Sequence, residues 1–167
     1  RCFEQRSGRQ MVIYAQPLDQ EVIRRVFSYA FVDDIPGVHL PRFILRDLPE
    51  VLDVGGMSIQ TFTVMHGPTP VVGIRVGGLA YLTDVSEIPP QAWAHLSGLD
   101  TLIIDAVRRR PHPNHLNFEQ ALDVAGRIGA GMTYFTHLSH DYDHDVTERD
   151  ELPENIRLAY DGLRISV

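Results

Sequence analysis

The sequence predicts a layered domain of the α/β (α+β) class, and three observations carry that expectation. Short apolar runs alternate with helical spacings along the whole chain. Gly-Gly and Asp-Gly pairs separate neighbouring apolar runs, so antiparallel hairpins are mixed in. The 167 residues, 44% hydrophobic and 22% charged, are enough to bury a core and too apolar for disorder. Strands, helices and hairpins in this mixture pack as layers. No interior linker interrupts residues 1–167, which read as one unit.

Each element has a local reason. Met11–Ala15 is a short apolar strand, and residues 18–27 place Val22, Ile23, Val26 and Phe27 at helical spacing. Residues 32–41, with Asp33, Asp34, Pro36 and Gly37, read as a loop. The pattern then turns to β: Val51–Val54, followed by residues 57–65 with Met57, Ile59, Thr61 and Thr63 on one face. Residues 71–76 and Leu79–Leu82 flank Gly77-Gly78, a tight hairpin connection. Residues 89–96 form a short helix stopped by Gly98, and 102–104 a buried strand. Asn117, with Gln120 three positions on, caps a helix over Phe118–Ile128, which Gly129 and Gly131 end. Met132–Thr136 is another strand, and residues 141–150 a charged connection. Residues 156–160 and 163–167 face each other across Asp161-Gly162, the signal of a type I′ hairpin.

Composition excludes several classes. A net charge of −7 argues against binding nucleic acid through a basic face. Cys2 is the one cysteine, so neither a disulfide framework nor a cysteine zinc module is available. No apolar run spans a bilayer and no secretory segment is present, which reads as a cytoplasmic protein. All 15 basic residues are arginine. The sequence opens at Arg1 and not at Met, as a fragment of a longer product or a chain given without its early residues would.

Eight histidines give the chain metal-binding capacity, and placement selects among them. His66, Asp84 and His137 each stand where an apolar strand ends. In open α/β sheets ligands bind beyond the carboxyl ends of strands, where side chains from several strands converge. Two imidazoles and a carboxylate suit zinc or manganese, and a carboxylate between imidazoles can bridge two ions. Each residue also has a plain structural reading: a hydrogen-bonded histidine at a strand end, or an aspartate capping a turn.

Five ordered strings carry a resemblance. Met65-His66-Gly67, Tyr81-Leu82-Thr83-Asp84 and Thr136-His137-Leu138-Ser139-His140 resemble the later metal motifs of metallo-β-lactamase-fold hydrolases. Arg110-Pro111-His112-Pro113-Asn114-His115 and Tyr160-Asp161-Gly162-Leu163 are similar to the branch of cyclic-phosphate phosphodiesterases of phosphonate utilisation, relatives of tRNA 3′-end endonucleases. The resemblance runs from about Arg9 to Val167. It implies the αββα sandwich of that fold, of which this would be the C-terminal portion, and two divalent ions, zinc or manganese. His66 would bind one ion, Asp84 would bridge both, and His137 would bind the second. His115 would protonate the leaving oxygen, a role imidazole suits because it titrates near working pH. A small phosphodiester, such as a cyclic ribose phosphate, would be cleaved by metal-activated hydroxide, with no membrane or nucleic-acid partner; a homodimer is allowed. His140 and Asp105 would support the ligands from behind, or alternatively cap loops. His112 competes with His115 for the proton, and Arg108, Arg109 and Arg110 either grip phosphate or form a solvated charge run.

The family's H-x-H-x-D-H string, which supplies most of the ligands, does not occur in the chain. Residues 1–167 alone are therefore expected to be inactive, although His66, Asp84 and His137 should still converge. Two other functions stay open: hydrolysis of an ester, lactone or thioester on the same metal core, and a non-catalytic fragment that binds or assembles only.

Overall fold

The computed structural model describes residues 2–32, 36–38 and 40–166. They form two compact units, Arg1–Pro49 and Glu50–Val167.

The first unit contains α1 (Cys2–Ser7), β1 (Met11–Ala15), α2 (Pro17–Val26), a 3-10 turn at Ser28–Ala30 and β2 (Phe43–Asp47). Pro17 opens α2 because its fixed φ and missing N–H suit a first helical turn. β1 and β2 pair in parallel, with Met11 opposite Phe43 and Ala15 opposite Asp47. The Gln20 amide joins α2 to this pair, donating to Asp47 Oδ1 at 2.8 Å and to the Ala15 carbonyl at 3.0 Å. α1 and β2 went unread in the sequence. Within the loop at 32–41, Asp33, Asp34 and His39 lie outside the described residues.

The second unit is built on one seven-stranded sheet in sequential order: β3 (Val51–Val54), β4 (Met57–His66), β5 (Thr69–Val76), β6 (Leu79–Leu82), β7 (Thr101–Asp105), β8 (Met132–Thr136) and β9 (Ile156–Leu158). β3 to β6 form an antiparallel meander, and β6 to β9 run parallel. The hairpin at Gly77-Gly78 forms as read, with Val76 opposite Leu79. Parallel strands need crossovers, and these carry a 3-10 segment (Pro90–Leu96), α3 (Phe118–Ile128) and α4 (His144–Asp150). The capping box on α3 is present: Gln120 N donates to Asn117 Oδ1 at 2.9 Å, and Asn117 N donates to Gln120 Oε1 at 3.0 Å.

The core lies along this sheet, where Val64, Leu82, Leu102, Ile104, Phe135 and Leu158 are buried with Leu96, Phe118 and Ala121. Truncating one of these leucines to alanine costs about 2–5 kcal/mol, so the core holds the strand ends in place.

Two expectations are corrected. Residues 141–150 are not merely a connection: α4 forms there, with Asp143 accepting from Val146 N at 3.0 Å and Thr147 buried. The terminal hairpin does not form, since β9 pairs in parallel with β8 and residues 163–166 are not a strand. A type I′ turn needs positive φ at both central residues. Here only Gly162 has it, at 90°, and Leu163 N closes the turn onto the Tyr160 carbonyl at 3.1 Å. Among the described residues, no helix is long and apolar enough to cross a membrane.

Candidate functional site

The register aligns four strand ends at one edge of the second sheet. Leu82 lies beside Ile104, Asp105 beside Thr136, and Phe135 beside Leu158. β4 runs in the same direction as β6, because each is antiparallel to β5, so His66 leaves at this edge too.

The backbone at two of these exits is unusual. Asp84 has φ 57° and His137 φ 59°, the two non-glycine residues in the left-handed region among those described. Such conformations cost about 1–3 kcal/mol and persist where packing overrides them. The loop after β6 is stapled to the end of β4: Ser86 N donates to the Met65 carbonyl at 2.7 Å, Ser86 Oγ to the same carbonyl at 3.0 Å, and Gly67 N to Ser86 Oγ at 2.8 Å. Gly67, at φ 58°, leaves room for Asn114, whose Oδ1 would collide with any Cβ there.

His115 stands at the centre. The chain returns to the edge through Val107 N on the Leu116 carbonyl (3.1 Å) and Leu116 N on the Val85 carbonyl (2.8 Å). His115 Nδ1 is 2.9 Å from Asp105 Oδ2, and its Nε2 is 3.1 Å from His66 Nε2. Nδ1 also lies 3.9 Å from Asp84 Oδ1, which is 3.9 Å from His137 Nε2. The His115 and His137 rings stack with centroids 5.1 Å apart. With Nδ1–H donated to Asp105, a neutral His115 presents a bare Nε2 to His66, whereas its imidazolium form presents a proton there.

Asp105 is fully buried at the end of β7. Burial pushes its carboxyl up to about 7, against the pull of the Val85 N–H and the His137 charge. Burial also lowers the His115 imidazole, helped by the positive charge of His137 and opposed by Asp84. Burial thus disfavours the charged form of both groups.

Of the residues expected from the sequence, His66, Asp84, His115, His137 and Asp105 converge. Ligand atoms of His66, Asp84 and His115 lie within 4.8 Å of one another, a spacing able to hold a cation. His140 does not join them: its side chain is 97% exposed, 3.7 Å from Asp141. His112 packs its ring 4.7 Å from His115 but has its Nδ1 engaged by Asn114 N at 3.2 Å. Arg109 is a structural clamp, held by Glu151 at 2.6 and 2.7 Å and by Thr147 at 3.1 Å beneath the rings of Phe118 and Tyr142. Arg108 closes its own loop through the carbonyls of Arg110 and Pro111.

Sequence reasoning proposed that Asp105 orients an imidazole without identifying which one. Ten residues separate the pair, and only the return of the loop joins them. It also missed the backbone strain at Asp84 and His137 and the place of Asn114, for which a single sequence holds no local signal.

Comparison with known proteins agrees with this fold. Residues 1–138 match the family model described as the beta-lactamase superfamily domain. A crystal structure described as a new diphosphatase from the PhnP family is 34% identical, with a TM-score of 0.86, over 99% of this chain and 62% of that one. An octanoyltransferase of Porphyromonas gingivalis (strain ATCC BAA-308 / W83) is 31% identical over 159 residues, covering 93% of this chain and 32% of that protein. Zn²⁺-bound PqqB from Methylobacterium extorquens shares the fold at 20% identity, with a TM-score of 0.63, over 99% of this chain and 68% of that one. The chain therefore spans 62% of the diphosphatase and 32% of the octanoyltransferase.

Proposed function

This chain belongs to the beta-lactamase superfamily and has the α/β architecture of the metallo-β-lactamase αββα sandwich; from that premise we propose that the complete protein is a metal-dependent hydrolase of a phosphodiester. The observation that carries the proposal is His115, held between the buried carboxylate of Asp105 and the imidazole of His66 beside two further candidate ligands.

The donor set fits a divalent cation. Imidazole nitrogens and a carboxylate meet at one edge, presented by backbone whose strain is otherwise unexplained. His66, Asp84 and His137 would hold two ions, zinc or manganese, together with ligands from outside residues 1–167. Such ions, when bound, activate water and neutralise developing charge on phosphoryl oxygens. Asp105 keeps the His115 ring in one orientation through its contact with Nδ1. His115 then delivers the proton from Nε2 to the departing alkoxide, and a cyclic ribose phosphate is a substrate of this kind. Likeness to the PhnP-family diphosphatase supports phosphorus as the centre attacked.

The octanoyltransferase relative supports a second reading, in which an ester, lactone or thioester is cleaved on the same core. Acyl transfer of that kind has less need of a proton donor held at His115. The test is to load the complete protein with Mn²⁺ or Zn²⁺ and compare bis(4-nitrophenyl) phosphate with 4-nitrophenyl octanoate. Metal-dependent release from the phosphodiester, with the ester near background, is expected. The reverse preference would replace the first reading with the second.

A further inference from the structure

The Tyr160-Asp161-Gly162 turn plays no part in the chemistry at His115, nor does it close a hairpin. β9 ends at Leu158, and Ala159 N then donates to the Phe135 carbonyl at 2.7 Å, which keeps the chain beside β8 as it leaves the sheet. Tyr160 and Asp161 consequently emerge next to His137. Together with Thr136, Leu138 and Ala159, these three residues line an open cleft of about 350 Å³, within the size range of small-molecule sites.

The lining has a definite chemistry. Tyr160 is 60% exposed, a large aromatic face left in solvent at the mouth. It is braced by the His144 ring, edge-on at 6.0 Å, and His144 is fixed in turn by its Nε2 contact with the Leu158 carbonyl at 3.3 Å. Leu138 and Ala159 contribute apolar surface, and Asp161 contributes a carboxylate that accepts hydrogen bonds and repels anions. Among the described residues no arginine lines the cleft, so it suits no second phosphate. One wall is His137, which also faces Asp84 at 3.9 Å. A group bound in the cleft is thereby anchored directly beside the reacting edge.

We infer that this cleft seats the alcohol half of the substrate, a neutral ring carrying hydroxyl or amino donors as in a nucleoside, with Tyr160 stacking on the ring and Asp161 accepting its hydrogen bonds. The inference rests on the phosphodiester reading above for its link to turnover, but binding in the cleft is measurable without turnover.

The experiment uses the complete, metal-loaded protein and two esters with the same leaving group, thymidine 5′-(4-nitrophenyl phosphate) and methyl 4-nitrophenyl phosphate. The thymidine ester should be preferred. Tyr160→Ala should lower that preference in kcat/KM about ten-fold, the scale of a stacked base. Tyr160→Phe should restore it, and Asp161→Asn should lower it several-fold. In parallel, thymidine alone is titrated into the protein and followed by NMR; binding should saturate and weaken in Tyr160→Ala. Saturable, Tyr160-dependent thymidine binding without turnover of either ester would leave the cleft assigned and remove the phosphodiester reading. Turnover of both esters without preference, or thymidine binding that is absent or indifferent to Tyr160→Ala, would overturn the inference.

Discussion

The two ends of the parallel strands β6, β7 and β8 are built from different residues. At the amino ends the chain turns on glycine: Gly77 at φ 57°, Gly98 at φ 65° and Gly129 at φ 65° precede the three strands. Glycine occupies the left-handed region without steric cost, so these turns are relaxed. At the carboxyl ends, β6 and β8 lead into the same backbone region, but the residues there are Asp84 at 57° and His137 at 59°. Between them β7 ends on Asp105, a carboxylate with no solvent exposure. One fold thus uses the same backbone conformation in two ways. Where geometry alone is required glycine is present, and where an imidazole or a carboxylate stands at the sheet edge the chain accepts strain to place it.

Removing His115, the proposed proton donor at the carboxyl edge, should have the largest effect. His115→Ala in the complete, metal-loaded protein should slow cleavage of an alkyl phosphodiester by roughly 10²–10⁴-fold, the range of general acid–base catalysis. The loss should shrink when the leaving group is 4-nitrophenolate, which needs no proton. Equal losses on both substrates would remove His115 from the proton-transfer role. A smaller effect is expected at Asp105, which acts through His115. Asp105→Asn keeps an acceptor for Nδ1–H while removing the charge, and should cost about 10–100-fold. Its losses should follow the same leaving-group pattern as those of His115→Ala. A loss that ignores the leaving group would make Asp105 a packing residue only.

The contrast between the two ends explains what could be read from the sequence. His66, Asp84 and His137 were legible because each directly follows an apolar run, so a local pattern fixes its place at a strand end. The capping box at Asn117 and Gln120 and the hairpin at Gly77-Gly78 were legible for the same reason. The pairing of Asp105 with His115 was not, because it depends on a loop that returns through hydrogen bonds to Val85 and Leu116. α4 escaped notice because its segment is acidic and buries only Thr147. The expected terminal hairpin failed on a backbone angle at Asp161 that residue type does not specify.

Strain at the carboxyl end predicts a smaller effect, on stability. His137→Gly removes a proposed ligand but relaxes a left-handed residue, and about 1–3 kcal/mol of strain outweighs the roughly 0.5–1 kcal/mol entropic cost of a new glycine. Urea unfolding of the complete protein stripped of metal should show His137→Gly at least as stable as the parent, and the variant should stay inactive when metal is added. Gly98→Ala meets nothing within 4 Å of the new Cβ and should lose about 1–2 kcal/mol through φ alone. Similar losses in both variants would mean that the His137 backbone is unstrained and the two ends are alike.

The central claim is a division of labour among the histidines at one edge: His66 and His137 hold metal, and His115 moves a proton. The spacing of His66, Asp84 and His115 within 4.8 Å also permits the opposite assignment, in which His115 is a ligand. The most direct measurement is the metal content, by elemental analysis after equal dialysis, of the complete protein carrying His137→Ala or His115→Ala. The account predicts that His137→Ala loses metal while His115→Ala keeps the full complement of the parent. Loss of metal from His115→Ala, with retention in His137→Ala, would contradict it.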